Sequence, residues 1–487
     1  MAHRFLFSLL ALALVAGACS TSPEPGLVEQ TTAVPAVAST VPPGDGSLRN
    51  QLDYLFPDPP PITITGPLAA EVAADFESLW SSLTTPDVDV DVDAIERLGQ
   101  SGDPRVAWLM ADLLRFIQTG DVQAALLDAA TTVTSVDLSQ DPVAARSPWQ
   151  SLTDHLIAWD LPAHPEYQEL KGRIFTVIEP GWQPFFDDAE ALVDWRFTSW
   201  GGVRIDSRPL GDPNPCDRGC IPALDDPKVT SAADGSWYDD ERLIFGVVVN
   251  GEARAYPKHH MEVHEMVNDT IGGRRVGIPY CTLCGSAQAY FTDSVPDSIE
   301  VPVLRTSGLL TRSNKVMYDL VTFSVFDTFT GEALSGPLRE AGIALEQTTV
   351  ITSTWGDWKA AHPDTTIVAE DGGLGRLYRL DPLGNRDANG PIFPVGDVDP
   401  RLPVQAQVVG VIAPDGTPVA FPVDDLRLAL GETDTVELAG ILIMADGGGF
   451  VATLGDGTPV ASHQSFWFAW SQFHPETLLW SPATLGS

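Results

Sequence analysis

The sequence predicts an α+β chain, mainly β, in which a duplicated antiparallel β domain follows a small helical, HEAT-like domain. Three observations carry this prediction. Helical periodicity is concentrated between Pro67 and about Trp195. From about Trp200 the chain turns to short apolar runs punctuated by Gly, Pro, Asp and Asn. Within that second stretch, two marker segments return later in the same order.

The first element is a leader. Basic His3 and Arg4 precede an apolar run from Phe5 to Val15, which is too short to cross a bilayer and so reads as an export signal. Ala16, Gly17 and Ala18 before Cys19 look like a bacterial lipobox, so residues 1–19 are expected to be a lipoprotein signal peptide with Cys19 carrying the lipid. The expected location is the extracytoplasmic face of the cell membrane, with the lipid anchor as the membrane contact. Residues 20–61, rich in Pro, Thr and Ser, cannot bury enough apolar surface to fold and read as a disordered tether.

With 487 residues, 44% of them apolar, the chain can build two or three packed cores. Its 28 Lys and Arg stand against 66 Asp and Glu, a net charge of -38. Nucleic acid and anionic lipid surfaces both demand clustered cations, so neither is an expected partner.

Residues 62–198 are expected to form the helical domain. In "DVDAIERLGQSGDPRVAWLMADLLRFIQTGD" two helical runs break at "GQSGDP", with Asp103 as the cap and Pro104 in the first turn of the second helix. The acidic run Asp87 to Asp93 lacks the glycine and distal Glu of a calcium loop and reads as an exposed entry to a helix. Residues 199–487 are the expected β domain, with halves at about 199–395 and 396–487. "LIFGVVVNGEARAY" is a hairpin around Asn250 and Gly251, and "QVVGVIAPDGTPVAF" repeats the arrangement around Asp415 and Gly416. Each is followed by proline, at Pro257 and Pro422. "STWGDWKAAHPDTTIV" and "SFWFAWSQFHPETLLW" then share two tryptophans, His-Pro, an acid and Thr. His362 and His474, duplicated in this way, are expected to serve the fold.

The stretch "GVVVNGEARAYPKHHMEVHEMVNDTIGGRRVGIPYCTLCGSAQAYF", with "SGLLTRSNKVMYD", "FTGEALSGPL" and the two His-Pro segments, closely resembles the DUF3179 family, bacterial proteins of uncharacterised function. The resemblance runs from about Trp200 to the C-terminus. It implies a β-rich, often exported domain and leaves the chemistry to the residues themselves.

Four cysteines remain beyond Cys19: Cys216, Cys220, Cys281 and Cys284. Cys216 and Cys220 read either as a local disulfide or as two further ligands that join Cys281 and Cys284 around a metal. For Cys281 and Cys284, covalent haem is excluded because Gly285 stands where histidine is required. A copper or zinc site built from both thiolates and His264 suits soft sulfur and imidazole ligands, with Glu265 and Asn268 supporting the imidazole. Asn268 also stands where a zinc protease of the H-E-x-x-H type needs its second histidine, which disfavours that chemistry. His260 stands four residues before His264, and with His259 falls outside what the family resemblance leads one to expect. Thiol-disulfide exchange, with Cys281 attacking and Cys284 resolving, is the rival reading. A third is an envelope ligand-binding protein whose cysteines are structural. Arg312, Asn314 and Tyr318 are candidates for lining a cleft.

Overall fold

A computed structural model describes residues 53–85, 89–138, 141–216, 219–384 and 390–482. The expected leader, Cys19, most of the tether and Asp87 lie outside these residues. Two compact units are present, one of Ala69–Leu152 and the other of Ile64–Leu68 with the chain from Thr153 onward.

The first unit holds α1 (Ala70–Thr84), α2 (Val92–Gly99), α3 (Ala107–Phe116) and α4 (Gly120–Thr134). Asp91 starts α2 by accepting a hydrogen bond from the Ala94 N–H, so the acidic run does enter a helix. Asp103 accepts from the Arg105 N–H next to Pro104, the cap and first-turn residue expected there. Helix α2 lies close on α4 because Gly99 has no side chain; a Cβ there would stand 2.7 Å from Ala129 Cα.

Helix α5 (Pro148–Ala158) spans the division, and α6 (Tyr167–Ile178) and α7 (Gln183–Asp187) belong to the second unit. The expected helical domain 62–198 is therefore split. Its later helices bury their apolar faces on the β structure: Trp182 Nε1 donates to Ser307 O at 2.7 Å, and the Phe185 ring packs edge-on to Tyr318.

Among the described residues, the second unit is mainly β, built as five sheets whose strand pairs are antiparallel with three exceptions. In chain order the strands are β1 (Thr198–Trp200), β2 (Leu224–Asp225), β3 (Val229–Ser231), β4 (Leu243–Val249), β5 (Glu252–Pro257), β6 (Met266–Ile271), β7 (Arg274–Cys281), β8 (Ser286–Ala287), β9 (Ala289–Phe291), β10 (Leu304–Thr311) and β11 (Asn314–Asp319). There follow β12 (Val325–Phe326), β13 (Glu346–Thr348), β14 (Ile351–Thr354), β15 (Thr366–Val368), β16 (Gln407–Ile412), β17 (Pro418–Pro422), β18 (Val436–Leu438), β19 (Ile441–Asp446), β20 (Gly449–Leu454), β21 (Pro459–Val460), β22 (Ser462–Phe466) and β23 (Leu478–Leu479). The helices between them are α8 (Lys258–His264), α9 (Gly336–Glu340), α10 (Trp355–Ala361), α11 (Val423–Leu430) and α12 (Trp467–Phe473).

Both expected hairpins form. Asn250 and Gly251 take positive φ between β4 and β5, the conformation an Asn-Gly turn favours. Around each hairpin the sheet continues alike: β14-β4-β5-β15 in one and β22-β16-β17-β23 in the other, with the last pair parallel in both. Pro257 leads into α8 and Pro422 into α11. Trp358 lies over Gly246 and Trp470 over Gly410, positions where any larger residue would collide with the indole. Each indole N–H donates to a threonine hydroxyl at 2.9 Å, Thr365 in one and Thr477 in the other. His362 and His474 pack against these tryptophans with tilted rings, centroids 4.1 and 4.3 Å apart. They stand at equivalent places, directly after α10 and α12.

Candidate functional site

Strand β7 runs apolar and buried into Cys281, turns at Thr282 to Gly285, and comes back as β8. Cys284 N–H donates to Cys281 O at 3.2 Å, closing the turn. Both cysteines are free and buried. The turn packs on the second of the two similar sheets, since Phe466 N–H at the end of β22 donates to Cys284 O at 2.8 Å. Phe329, Val408 and Trp470 share that core with the two sulfurs.

From the other side comes the β10–β11 turn. Arg312 and Ser313 both take positive φ, 47° and 69°, without being glycine. Such strain persists where surrounding structure demands it. Here it holds Ser313 O 3.5 Å from Cys281 Sγ and 3.3 Å from Cys284 Sγ. Two residues on, Lys315 is buried and reaches the C-terminal end of α8. Its ammonium lies 2.9 Å from Glu265 Oε2 and donates to the Glu265 carbonyl. Glu265 takes φ 52° where α8 stops, which turns its side chain toward this group; Thr282 Oγ1 donates to its Oε1 at 3.4 Å.

This arrangement divides the two thiols. Burial pushes the Cys281 thiol up, but the Cys284 S–H, the Lys315 N–H and the Lys315 ammonium outweigh burial and Glu265, holding Cys281 below the ordinary thiol range. Burial and the neighbouring Cys281 push Cys284 well above that range. Lys315 is itself lowered by burial, while Glu265 and Cys281 favour its charge. The first proton to leave comes from Cys281, and Cys284 then donates to the resulting thiolate.

His264 does not join the cysteines. Its Nδ1 lies 2.7 Å from Pro222 O and its Nε2 2.7 Å from Tyr378 OH. The first nitrogen donates to the carbonyl and the second accepts from the phenol, so the ring is neutral and both nitrogens are occupied. Burial lowers its pKa to about 4. The reason for the correction lies in the backbone: α8 ends at His264, and the left-handed turn at Glu265 sends adjacent side chains to different places. Glu265 therefore serves Lys315 and Thr282 rather than the imidazole. Asn268 is also elsewhere, its amide bonded to Asp225 Oδ1 at 2.9 Å and Leu304 O at 3.0 Å, where it links β6 to β10. His259 and His260 pack with Trp237 and Tyr378.

The expected cleft residues are dispersed. Arg312 lies 4.0 Å over the Phe197 ring, and Tyr318 donates to Asp206 O at 2.7 Å from inside the core. Asn314 is buried, its Oδ1 unpartnered. Cys216 and Cys220 form the expected disulfide. A three-ligand group among the described residues joins Asp206 to these two sulfurs. As a disulfide they are not thiolates, and Asp206 already accepts from Arg208 and from the Ala223 N–H. A metal at the buried pair would rest on Cys281 and Cys284 themselves.

Lys315 and Ser313 O were missing from the expected site. The signal that could have found Lys315 is local: one residue into β11, strand alternation turns a cation inward from the Arg-Ser turn.

Among proteins already known, a family model described as "Protein of unknown function (DUF3179)" matches residues 218–454. No curated protein and no solved structure matches the chain. The matched segment includes both free cysteines, Glu265 and Lys315, and ends before β22. This match, over just under half of the chain, supports the DUF3179 resemblance read from the sequence.

Proposed function

We propose that Cys281 and Cys284 are a redox-active dithiol, so that the protein acts in thiol-disulfide chemistry. One observation carries this: two free sulfurs three positions apart share the acceptor Ser313 O, and the Cys284 S–H together with Lys315 favours charge on Cys281 against burial and Glu265. In the reducing direction, the Cys281 thiolate attacks a disulfide, forming a new S–S bond and expelling one thiolate, which takes a proton. Cys284 gives up its proton, with Glu265 as the nearby carboxylate to receive it, and attacks Cys281. The Cys281–Cys284 disulfide forms as the second thiolate leaves. Two electrons pass from the dithiol to the substrate.

The test is a redox titration of the full chain in which each cysteine is alkylated and weighed. Reversible, two-electron closure of Cys281 with Cys284 supports the proposal; failure of the pair to close under any oxidant removes it.

A second reading keeps the sulfurs as ligands. The shared acceptor brings the two sulfurs to one place, and two soft thiolates suit a cation such as copper(I), which they can hold without His264. Metal retained by the native chain and lost with Cys281→Ser would establish it. Zinc is less well served, because it calls for four ligands.

The leader reading belongs with this function. We infer that acylated Cys19 tethers the protein at the extracytoplasmic face of the membrane, a proposal resting on the lipobox and tested by the mass of the N-terminal peptide. We infer also that the sheets around β4–β5 and β16–β17 are copies of one unit, a reading supported by their common strand order and by the Trp358 and Trp470 contacts.

A further inference from the structure

Both sulfurs lie inside the protein, the cysteines being 2% and 0% exposed. Attack on a disulfide needs its sulfur in line with the attacking thiolate, a geometry that a polypeptide disulfide cannot bring to a buried site unless the site opens. The surroundings of the pair are nevertheless not uniformly apolar. Ser286 sits opposite Cys281 in the β7–β8 register, which puts the two side chains on one face. Gln288, two residues on, shares that face and brings its Nε2 to 3.3 Å from His463 Nε2. Ser465 follows His463 by two on β22, and the next residue, Phe466, is bonded to Cys284 O.

Ser286, Gln288 and Ser465 are 0% exposed, and Ser313 is 1% exposed. Ser286 Oγ, Gln288 Oε1, Ser465 Oγ and Ser313 Oγ nevertheless have no partner in the protein. Buried polar atoms are normally hydrogen-bonded, and several unpartnered ones beside one reactive group mark a place suited to a small polar molecule.

Resting on the dithiol reading above, we propose that the substrate of the pair is a small hydroperoxide, bound among these hydroxyl and amide groups next to Cys281. A hydroperoxide offers two adjacent oxygens that can hydrogen-bond to such groups, and it is far smaller than a peptide disulfide. The Cys281 thiolate attacks one oxygen and the O–O bond breaks. Cys281 becomes a sulfenic acid, and the leaving oxide takes a proton, with the Lys315 ammonium at hand to stabilise its charge. Cys284, losing its proton, then attacks the sulfenic sulfur and releases water. Overall the peroxide gains two electrons and the pair becomes a disulfide.

The experiment compares the full, reduced chain with hydrogen peroxide and with oxidised glutathione, following closure of Cys281 with Cys284 by peptide mass. Closure by peroxide should be faster by on the order of 100-fold, because the larger oxidant waits for an open form populated at about one per cent. Cys284→Ser should leave a sulfenic acid at Cys281 that dimedone captures, and Ser286→Ala should slow closure by peroxide more than closure by diamide. Equal or faster closure by oxidised glutathione would overturn the substrate class and leave the dithiol standing. Failure of the pair to close with peroxide, glutathione or diamide would overturn both.

Discussion

Cys216 and Cys220 are joined in a half-exposed loop, whereas Cys281 and Cys284, one position closer in sequence, remain thiols in the interior. The first pair lies near the Asp206 carboxylate, whose charge is already met by Arg208; its sequence neighbours are Pro, Asp, Arg and Gly. The second is enclosed by a strained turn, an ion pair and the end of a neighbouring sheet. Short spacing makes a disulfide geometrically accessible in both places, but the groups around the sulfurs decide whether the bond is a staple or a reversible state. The difference teaches that cysteine spacing alone carries little functional information in this chain.

Acid offers the largest effect. Burial lowers His259, His264 and His474 to about 4, His463 to about 3 and His260 to about 2. Between pH 6.5 and 4 the unfolded chain therefore binds protons that the folded chain refuses, and stability falls as pH drops through that window. Urea midpoints measured across it should decline steeply, and the two cysteine pairs should be compared above it.

The next test separates the pairs directly. Lys315→Met leaves Glu265 partly buried without its cation, at a cost of about 3 kcal/mol in urea unfolding. It should also slow alkylation of Cys281 at neutral pH, because the thiol loses a cation that favours its charged form. Retained reactivity would show that Lys315 does not govern Cys281. Replacing Cys216 and Cys220 together by alanine should cost less, about 2 kcal/mol for so short a loop, and leave Cys281 alkylation unchanged. The smallest effect is expected of Ser313→Gly. Relief of the left-handed strain and the freer unfolded chain oppose each other, so its unfolding free energy should move by less than about 1 kcal/mol. Both thiols should keep their reactivity, because they meet the backbone carbonyl at this position.

Much of this architecture was legible because it is local. Asn250-Gly251 specifies a turn by its backbone preference, Asp103 caps by its own side chain, and the paired Trp and His-Pro segments announce two similar sheets. The boundary of the helical part was not legible, since an amphipathic pattern in α6 and α7 says that a face is buried but not on what. The site shows the same limit. Cys281 and Cys284 stand out in the sequence, and Glu265 was named beside them with the wrong partner. His264 and Glu265 are neighbours in the chain, and a single left-handed residue separates their fates. Lys315 comes from a hairpin more than thirty residues downstream, brought in by sheet packing that no local pattern encodes.

The most direct test is differential alkylation of all four folded-domain cysteines across a series of poised thiol-disulfide buffers. The account predicts that Cys281 and Cys284 pass together from thiols to a mutual disulfide and back, while Cys216–Cys220 stays closed throughout. A Cys281–Cys284 pair fixed in one state across the series would contradict it.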